Sequence, residues 1–155
     1  EVVAALVRRK IPRLHAHFKK HNLKLSLCVS PWLLCLFSHS LPSQTVFRIW
    51  DCFFCEGSKV VFRVILALLK LNEPSLLGAT DDVTLFMAVK EGTLKAFDCE
   101  SLLKIAFNIP SFPKKLVKQL RDEVKSTRKA APAVQSASPK KQDDGTQPQK
   151  VSRAR

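Results

Sequence analysis

Pro31–Lys70 reads PWLLCLFSHSLPSQTVFRIWDCFFCEGSKVVFRVILALLK, and this stretch decides the fold. Pro42 opens a segment in which Val46, Phe47, Ile49, Trp50, Phe53 and Phe54 fall at i, i+1, i+3, i+4, i+7 and i+8. That spacing predicts a helix with a broad apolar face, ended by Gly57, with Arg48 and Asp51 off the face. Ser58 is placed to cap the next helix. There Val60, Val61, Phe62, Val64, Ile65, Leu66, Leu68, Leu69 and Leu71 surround the axis, and only Lys59, Arg63 and Lys70 interrupt them. At about 100° per residue these three cations lie within about 40° of one another. A helix with so thin a polar stripe belongs at the centre of a core.

Working outward, Pro31 or Ser30 is expected to start a buried helix through Ser38, after a loop at Asn22–Ser26. Glu1–Lys10 reads as a short helix ending before Pro12. Pro12 can open another through about His21, because the first helical turn does not need the donor that proline lacks. Beyond Pro74, Asp81 and Asp82 suit the start of a helix reaching about Gly92, and Asp98 suits the cap of another. A last helix is expected from Pro113. Its apolar face is Leu116, Val117, Leu120 and Val124, and Lys114, Lys118, Arg121 and Lys125 form a basic stripe. No segment alternates with period two for long, so the expected class is all-α, an irregular multi-helix domain.

The 155 residues suit one domain plus an appendage. Hydrophobic residues make up 46% and charged residues 25%, enough for a real core. Lys and Arg number 26 against 13 Asp and Glu, a formal charge of +13 that is unevenly spread. Residues 1–24 hold seven basic groups against Glu1, whereas residues 25–109 hold seven basic against eight acidic. The positive flanks suit steering toward an anionic surface, although an ordinary solvated face is the simpler reading. Residues 129–155 contain no Leu, Ile, Phe or Trp and are dominated by Ser, Pro, Gln and Lys. They are expected to be a disordered basic tail behind a helical domain at 1–128. Asp143 and Asp144 interrupt the tail's cations, which argues against a dedicated lipid or RNA contact.

No secretory signal is visible, and the chain begins with Glu, which reads as a fragment. Leu25–Phe47 lacks Asp, Glu, Lys and Arg, but its uninterrupted apolar piece, Trp32–Phe37, is far short of the roughly 20 residues a membrane span needs. Five cysteines, an odd number beside a large apolar core, favour the cytosol over a disulfide framework. Cys52 and Cys55 form a CxxC, yet no second ligand pair completes a zinc site and no strand precedes it to present a redox pair. His17 and His21 are four apart without the Glu of HExxH. No nucleophile elbow, phosphate loop or carboxylate pair is present, so no catalytic residue, cofactor or metal is assigned.

The joint order of several elements is more specific than any of them alone. Trp32, Leu36 and Phe37 (W-x-x-x-L-F), then Leu41-Pro42, then Arg48-Ile49-Trp50-Asp51, then Glu56-Gly57 and the apolar helix from Val60 to Leu69 resemble the C-terminal half of a TBC domain. TBC domains are the helical domains of Rab GTPase-activating proteins. The wording is most similar to the growth-hormone-regulated TBC protein group. Ile11-Pro12, Leu14 and His17 echo the family's Leu-Pro-x-Leu-x-x-His pattern, and looser similarity runs to about Arg128.

The resemblance implies a Rab-type small GTPase as partner and a cytoplasmic site of action, peripheral to endomembranes. In that family an arginine from an IxxDxxR motif and a glutamine from a YxQ motif, both in the N-terminal half, enter the nucleotide site. The arginine offsets phosphoryl charge and the glutamine orients water. Neither motif occurs here: no Asp has Ile three before and Arg three after, and Tyr is absent. The resemblance therefore implies the scaffold half of a GTPase activator, without unaided activity and with apolar surface exposed where the other half would pack. Trp32, Leu36, Phe37, Pro42, Arg48, Trp50, Asp51, Glu56 and Gly57 are expected to be mainly structural, with Arg48 and Asp51 an i, i+3 ion pair or cap contact. Two alternatives stand beside it. One is a non-catalytic protein-interaction module. The other is a basic binder of anionic lipid or nucleic acid through Lys114, Lys118, Arg121, Lys125 and the tail, with nucleic acid disfavoured by the lack of interleaved aromatics.

Overall fold

The computed structural model describes residues 1–94, 98–110, 117–120, 122–123 and 125–126. Eight helices carry most of them: α1 (Val2–Lys10), α2 (Pro12–Lys20), α3 (Leu25–Leu34), α4 (Ser43–Glu56), α5 (Lys59–Leu71), α6 (Glu73–Leu77), α7 (Asp82–Leu94) and α8 (Cys99–Asn108). Residues 117–120, 122–123 and 125–126 are also helical, and there is no strand among the described residues. The domain is all-α.

α5 is the hub. It packs against α1, α3, α4, α6, α7 and α8, and Val60, Val61, Phe62, Val64, Ile65, Leu66, Ala67, Leu68 and Leu69 are all buried. A buried Val, Leu, Ile or Phe contributes about 1.5–3 kcal/mol relative to exposure, so this helix dominates the apolar energetics. Its polar stripe faces outward as expected, except that Arg63 lies over the Phe107 ring of α8 at 5.2 Å. Leu71 is 40% exposed and does not join the enclosed set, because it is the last residue of the helix.

The surrounding helices are held by identifiable end contacts. Ile11 links α1 to α2, with Pro12 in the first turn of α2. Asp98 caps α8 by accepting hydrogen bonds from the Glu100 amide (3.0 Å) and the Ser101 amide (3.2 Å). Asp81 does the same for α7 through the Thr84 amide at 2.7 Å. At the far end of α5, the Asn72 side-chain amide donates to Leu68 O (2.8 Å) and to Gly92 O (3.1 Å). A Cβ at Gly92 would stand 2.5 Å from Asn72 Nδ2, so glycine is what lets α7 come this close to the end of α5.

Three expectations are corrected, and one short helix is added. Pro31 does not start a helix: it lies inside α3, which begins at Leu25 and stops at Leu34 rather than Ser38. α3 is apolar on nearly every side, so no stripe marked its start, and a proline leaves only one intrahelical bond unmade here. Ser58 occupies the N-cap position of α5 but makes no side-chain cap bond, its backbone being helical (φ −59, ψ −14). On α4 only Thr45, Val46 and Ile49 are buried, and Phe47 and Phe54 of the expected face are 59% and 78% exposed. α6 was not marked in the sequence, since its five residues are too few to show a period. The expected helix start at Pro113 and the tail lie outside the described residues. Val117 and Leu120 of the expected last apolar face are buried, while Leu116 and Val124 lie outside.

Candidate functional site

The residues that gave the sequence its distinctive order meet at two corners, one on each side of α4. After α3 ends, Leu36 and Phe37 both adopt left-handed backbone conformations (φ 43° and 68°), unusual for residues that are neither Gly nor Asn. The strained turn is over-determined by its surroundings. Phe37 is fully buried, and its amide donates to Trp32 O at 3.0 Å. Its own carbonyl accepts from the Ser40 amide (2.9 Å) and the Leu41 amide (3.1 Å). Trp32 is buried beneath it. Trp50, one helix further on, donates its indole Nε1–H to Leu36 O at 3.1 Å. W-x-x-x-L-F and the tryptophan of R-I-W-D are thus two halves of one joint between α3 and α4.

Pro42 sets the exit from that joint. With φ −57 and ψ 143 it stands at the N-cap of α4, and its carbonyl accepts from the Val46 amide at 3.0 Å. The second corner is Glu56-Gly57. Gly57 has φ 82 and ψ −170, a region essentially closed to other residues. Its amide donates to Phe53 O at 2.8 Å, and its carbonyl receives the Val60 amide at 3.1 Å. Glu56 and Lys59 pair at 2.5 Å across the bend.

Between the corners, α4 shows an outer surface of Phe47, Arg48, Asp51 and Phe54, all exposed. Phe47 packs edge-on to Trp50 with ring centroids 6.1 Å apart. The expected Arg48–Asp51 ion pair is not formed. Instead the Arg48 charge acts on the thiols beside it. Burial pushes Cys99 up and Arg48 partly offsets this, as does a hydrogen bond with the otherwise buried Thr45. Burial and then Glu56 push Cys52 up, with Arg48 again opposing. Cys28 is raised to about 11 by burial, slightly countered by Lys90. All five cysteines are free thiols. Raised thiol pKa values are the opposite of what a nucleophile or metal ligand requires. No cluster of three or more His, Cys, Asp or Glu that could hold a metal exists among the described residues.

One further feature was not marked in the sequence. A groove of about 750 Å³ runs between α1 and the α2–α3 connection, lined by Val2, Val3, Phe18, Leu25, Val29 and Leu33, with Lys19 and Lys24 also at its wall. It arises from three helices packing together, and no spacing rule within one helix reveals it. At the end of α2 the His17 and His21 rings, four residues apart, meet at a tilt with centroids 4.5 Å apart, and His17 Nε2 is enclosed without a hydrogen-bond partner. Of the expected basic stripe, Lys118 and Lys125 are exposed, and Lys114 and Arg121 lie outside the described residues.

Residues 1–77, which contain both corners and the hub helix, match the Rab-GTPase-TBC domain. The chain is 40% identical over 121 residues to TBC1 domain family member 2A of Mus musculus, a match covering 77% of this chain and 13% of that protein. It is 40% identical over 126 residues to growth hormone-regulated TBC protein 1 of Xenopus tropicalis, covering 79% and 37%. The crystal structure of the Chlamydomonas flagellar RabGAP TBC domain superposes with a TM-score of 0.65 at 40% identity, covering 68% of this chain and 36% of that one. The chain belongs to the Rab-GTPase-TBC domain family.

The TBC relatives above are longer than the match in every case: this chain spans 13% of the first and 37% of the second. In this TBC chain the joint at Leu36–Trp50 and the bend at Gly57 hold α4 against α5, and the outer surface of α4 is what the frame presents. No described helix of this TBC chain is long and apolar enough to cross a membrane.

Proposed function

We propose that this TBC chain serves Rab-type small GTPases as the framework part of a GTPase-activating domain, acting in the cytoplasm at the surface of endomembranes. The observation that supports it is the two-cornered frame around α4, built from the residues that make the resemblance specific and lying within the matched segment. On this reading Trp32, Leu36, Phe37, Pro42, Trp50, Glu56 and Gly57 set the angle between α3, α4 and α5, and Arg48 and Asp51 face outward. The 155 residues contain neither an IxxDxxR nor any tyrosine for a YxQ. An arginine finger supplies on the order of 10³–10⁵ in GTPase rate, so the chain alone engages a Rab without accelerating it.

Multiple-turnover GTP hydrolysis across a Rab panel tests this. Binding with less than about a tenfold rate change is expected. Stimulation on the order of a hundredfold or more by this chain alone overturns the framework reading, because it would require catalytic side chains this sequence lacks.

The exposure of Phe47 and Phe54 favours a second reading, a non-catalytic module that binds a protein through the outer surface of α4. Large exposed aromatics beside Arg48 are residue types enriched in protein interfaces. Replacing both by Ser abolishes capture of that partner on this reading. Unchanged capture removes it.

A further inference from the structure

The strongest unassigned feature is a charge pattern at the α1–α2 corner. Between Val2 and Trp50 there are eight Lys and Arg and no Asp or Glu. Arg8 and Arg9 lie in the last turn of α1, and Arg13 in the first turn of α2, one residue after Pro12. All three are exposed, and no carboxylate among the described residues pairs with them.

Arg8 and Arg9 have an ordinary explanation, since cations are favourable near the carbonyl end of a helix. Arg13 does not. It stands where the α2 macrodipole is positive and an acidic residue would suit, and neither α1 nor α2 has an acid in its first turn. The arrangement works against α2 in isolation and in favour of an anion outside.

Lys10 makes the second link. Its Nζ donates to Pro110 O at 2.6 Å across one hundred residues of sequence. The basic corner is thereby fastened beside the point where the chain leaves α8 toward the exposed Lys118 and Lys125. The sequence keeps its two basic flanks apart with a nearly neutral centre, and the fold brings the start of the second against the first.

We propose that the α1–α2 corner, through Arg8, Arg9 and Arg13, docks on the anionic leaflet of a lipid bilayer. Guanidinium groups match lipid phosphates and carboxylates without needing a preformed pocket. A nucleic acid is the poorer fit, because single strands need an aromatic platform. The large exposed aromatics among the described residues, Phe47 and Phe54, are on α4, whose main partners are α5 and α8 rather than the corner. The charge of the corner does not depend on which GTPase, or whether any, is the partner.

Each cation near an anionic leaflet contributes about fivefold in partitioning, so removing three weakens binding on the order of a hundredfold. The test is co-sedimentation of the full 155-residue chain with phosphatidylcholine vesicles, with and without phosphatidylserine. Binding is expected only with phosphatidylserine and is expected to fall as salt rises. The combined Arg8→Ala, Arg9→Ala, Arg13→Ala variant loses it, the corresponding triple Lys variant keeps most of it, and Lys70→Ala on the exposed edge of α5 is unaffected. Far-ultraviolet circular dichroism checks that all variants remain helical, and the triple Lys variant separates lost charge from altered folding. Equal binding to pure phosphatidylcholine, no vesicle binding at all, or full binding by the triple Ala variant overturns the proposal. So does preferential binding to a nucleic-acid oligonucleotide at the same salt.

Discussion

α4 and α5 are consecutive in sequence, 14 and 13 residues long, and both rich in aliphatic and aromatic side chains, yet they have opposite fates. α5 buries nine residues and is walled in by six helices. α4 buries three and turns Phe47 and Phe54 to solvent. Apolar periodicity states which side chains could be buried, and the number of neighbouring helices decides which are. α4 is fixed instead by the Trp50 indole at its middle and the Gly57 bend at its end, so its position relies on two local devices rather than on enclosure.

The largest expected effect contrasts the two helices directly. Leu66→Ala in α5 should destabilise by about 2–5 kcal/mol, because the cavity is surrounded by neighbours that relax only partly. Phe54→Ala in α4 removes a larger side chain and should change stability by less than about 0.5 kcal/mol. Urea unfolding of the two variants measures both, and similar losses would end the comparison.

Gly57→Ala comes next, at about 1–3 kcal/mol. A Cβ there meets nothing within 4 Å, so the cost is conformational rather than steric. Gly57→Ser should therefore cost the same as Gly57→Ala, and a clear dependence on side-chain size would show that the bend is crowded. Trp50→Phe should cost about 1 kcal/mol by leaving Leu36 O without its indole donor. Amide hydrogen exchange should then rise around residues 36–41 while α5 stays protected.

The smallest effect concerns acid. Hydrogen bonds from the Ser101 side chain and amide hold Asp98 below the usual carboxylate range, and those from Thr84 do so for Asp81. A depressed folded pKa gives stability that is present above the unfolded value of about 3.9 and is lost as pH falls through the folded one. Below about pH 4 the first turns of α7 and α8 should therefore exchange faster, with the Thr84 and Ser101 amides leading. α4 and α5 have no side-chain caps, so their response to acid should be confined to the Glu56–Lys59 pair at the bend between them.

Much of this was visible in the residues themselves. Pro12, Pro42, Gly57 and Asp98 mark helix ends by fixed backbone chemistry, and the encircled pattern of Val60–Leu69 has one sensible location. α3 was misplaced because its apolar residues show no stripe and because Pro31 looks like a boundary while sitting inside the helix. The Leu36–Phe37 turn was hidden for a different reason. Its left-handed backbone is imposed by tertiary contacts with Trp32 and Trp50 on residues that have no intrinsic preference for it. At the candidate site the signature positions were found by resemblance, but the exposure of Phe47 and Phe54, the groove and the Lys10–Pro110 contact depend on distant helices meeting.

The Trp50 joint also makes the protein its own optical instrument. There is no tyrosine, so ultraviolet emission comes from Trp32 and Trp50 alone. Trp32 is enclosed and should emit toward the blue, a steady internal reference. Trp50 is half-buried, tethered to Leu36 and touching Phe47, so anything that settles on the neighbouring aromatic surface should alter its colour or quenching without a label being added.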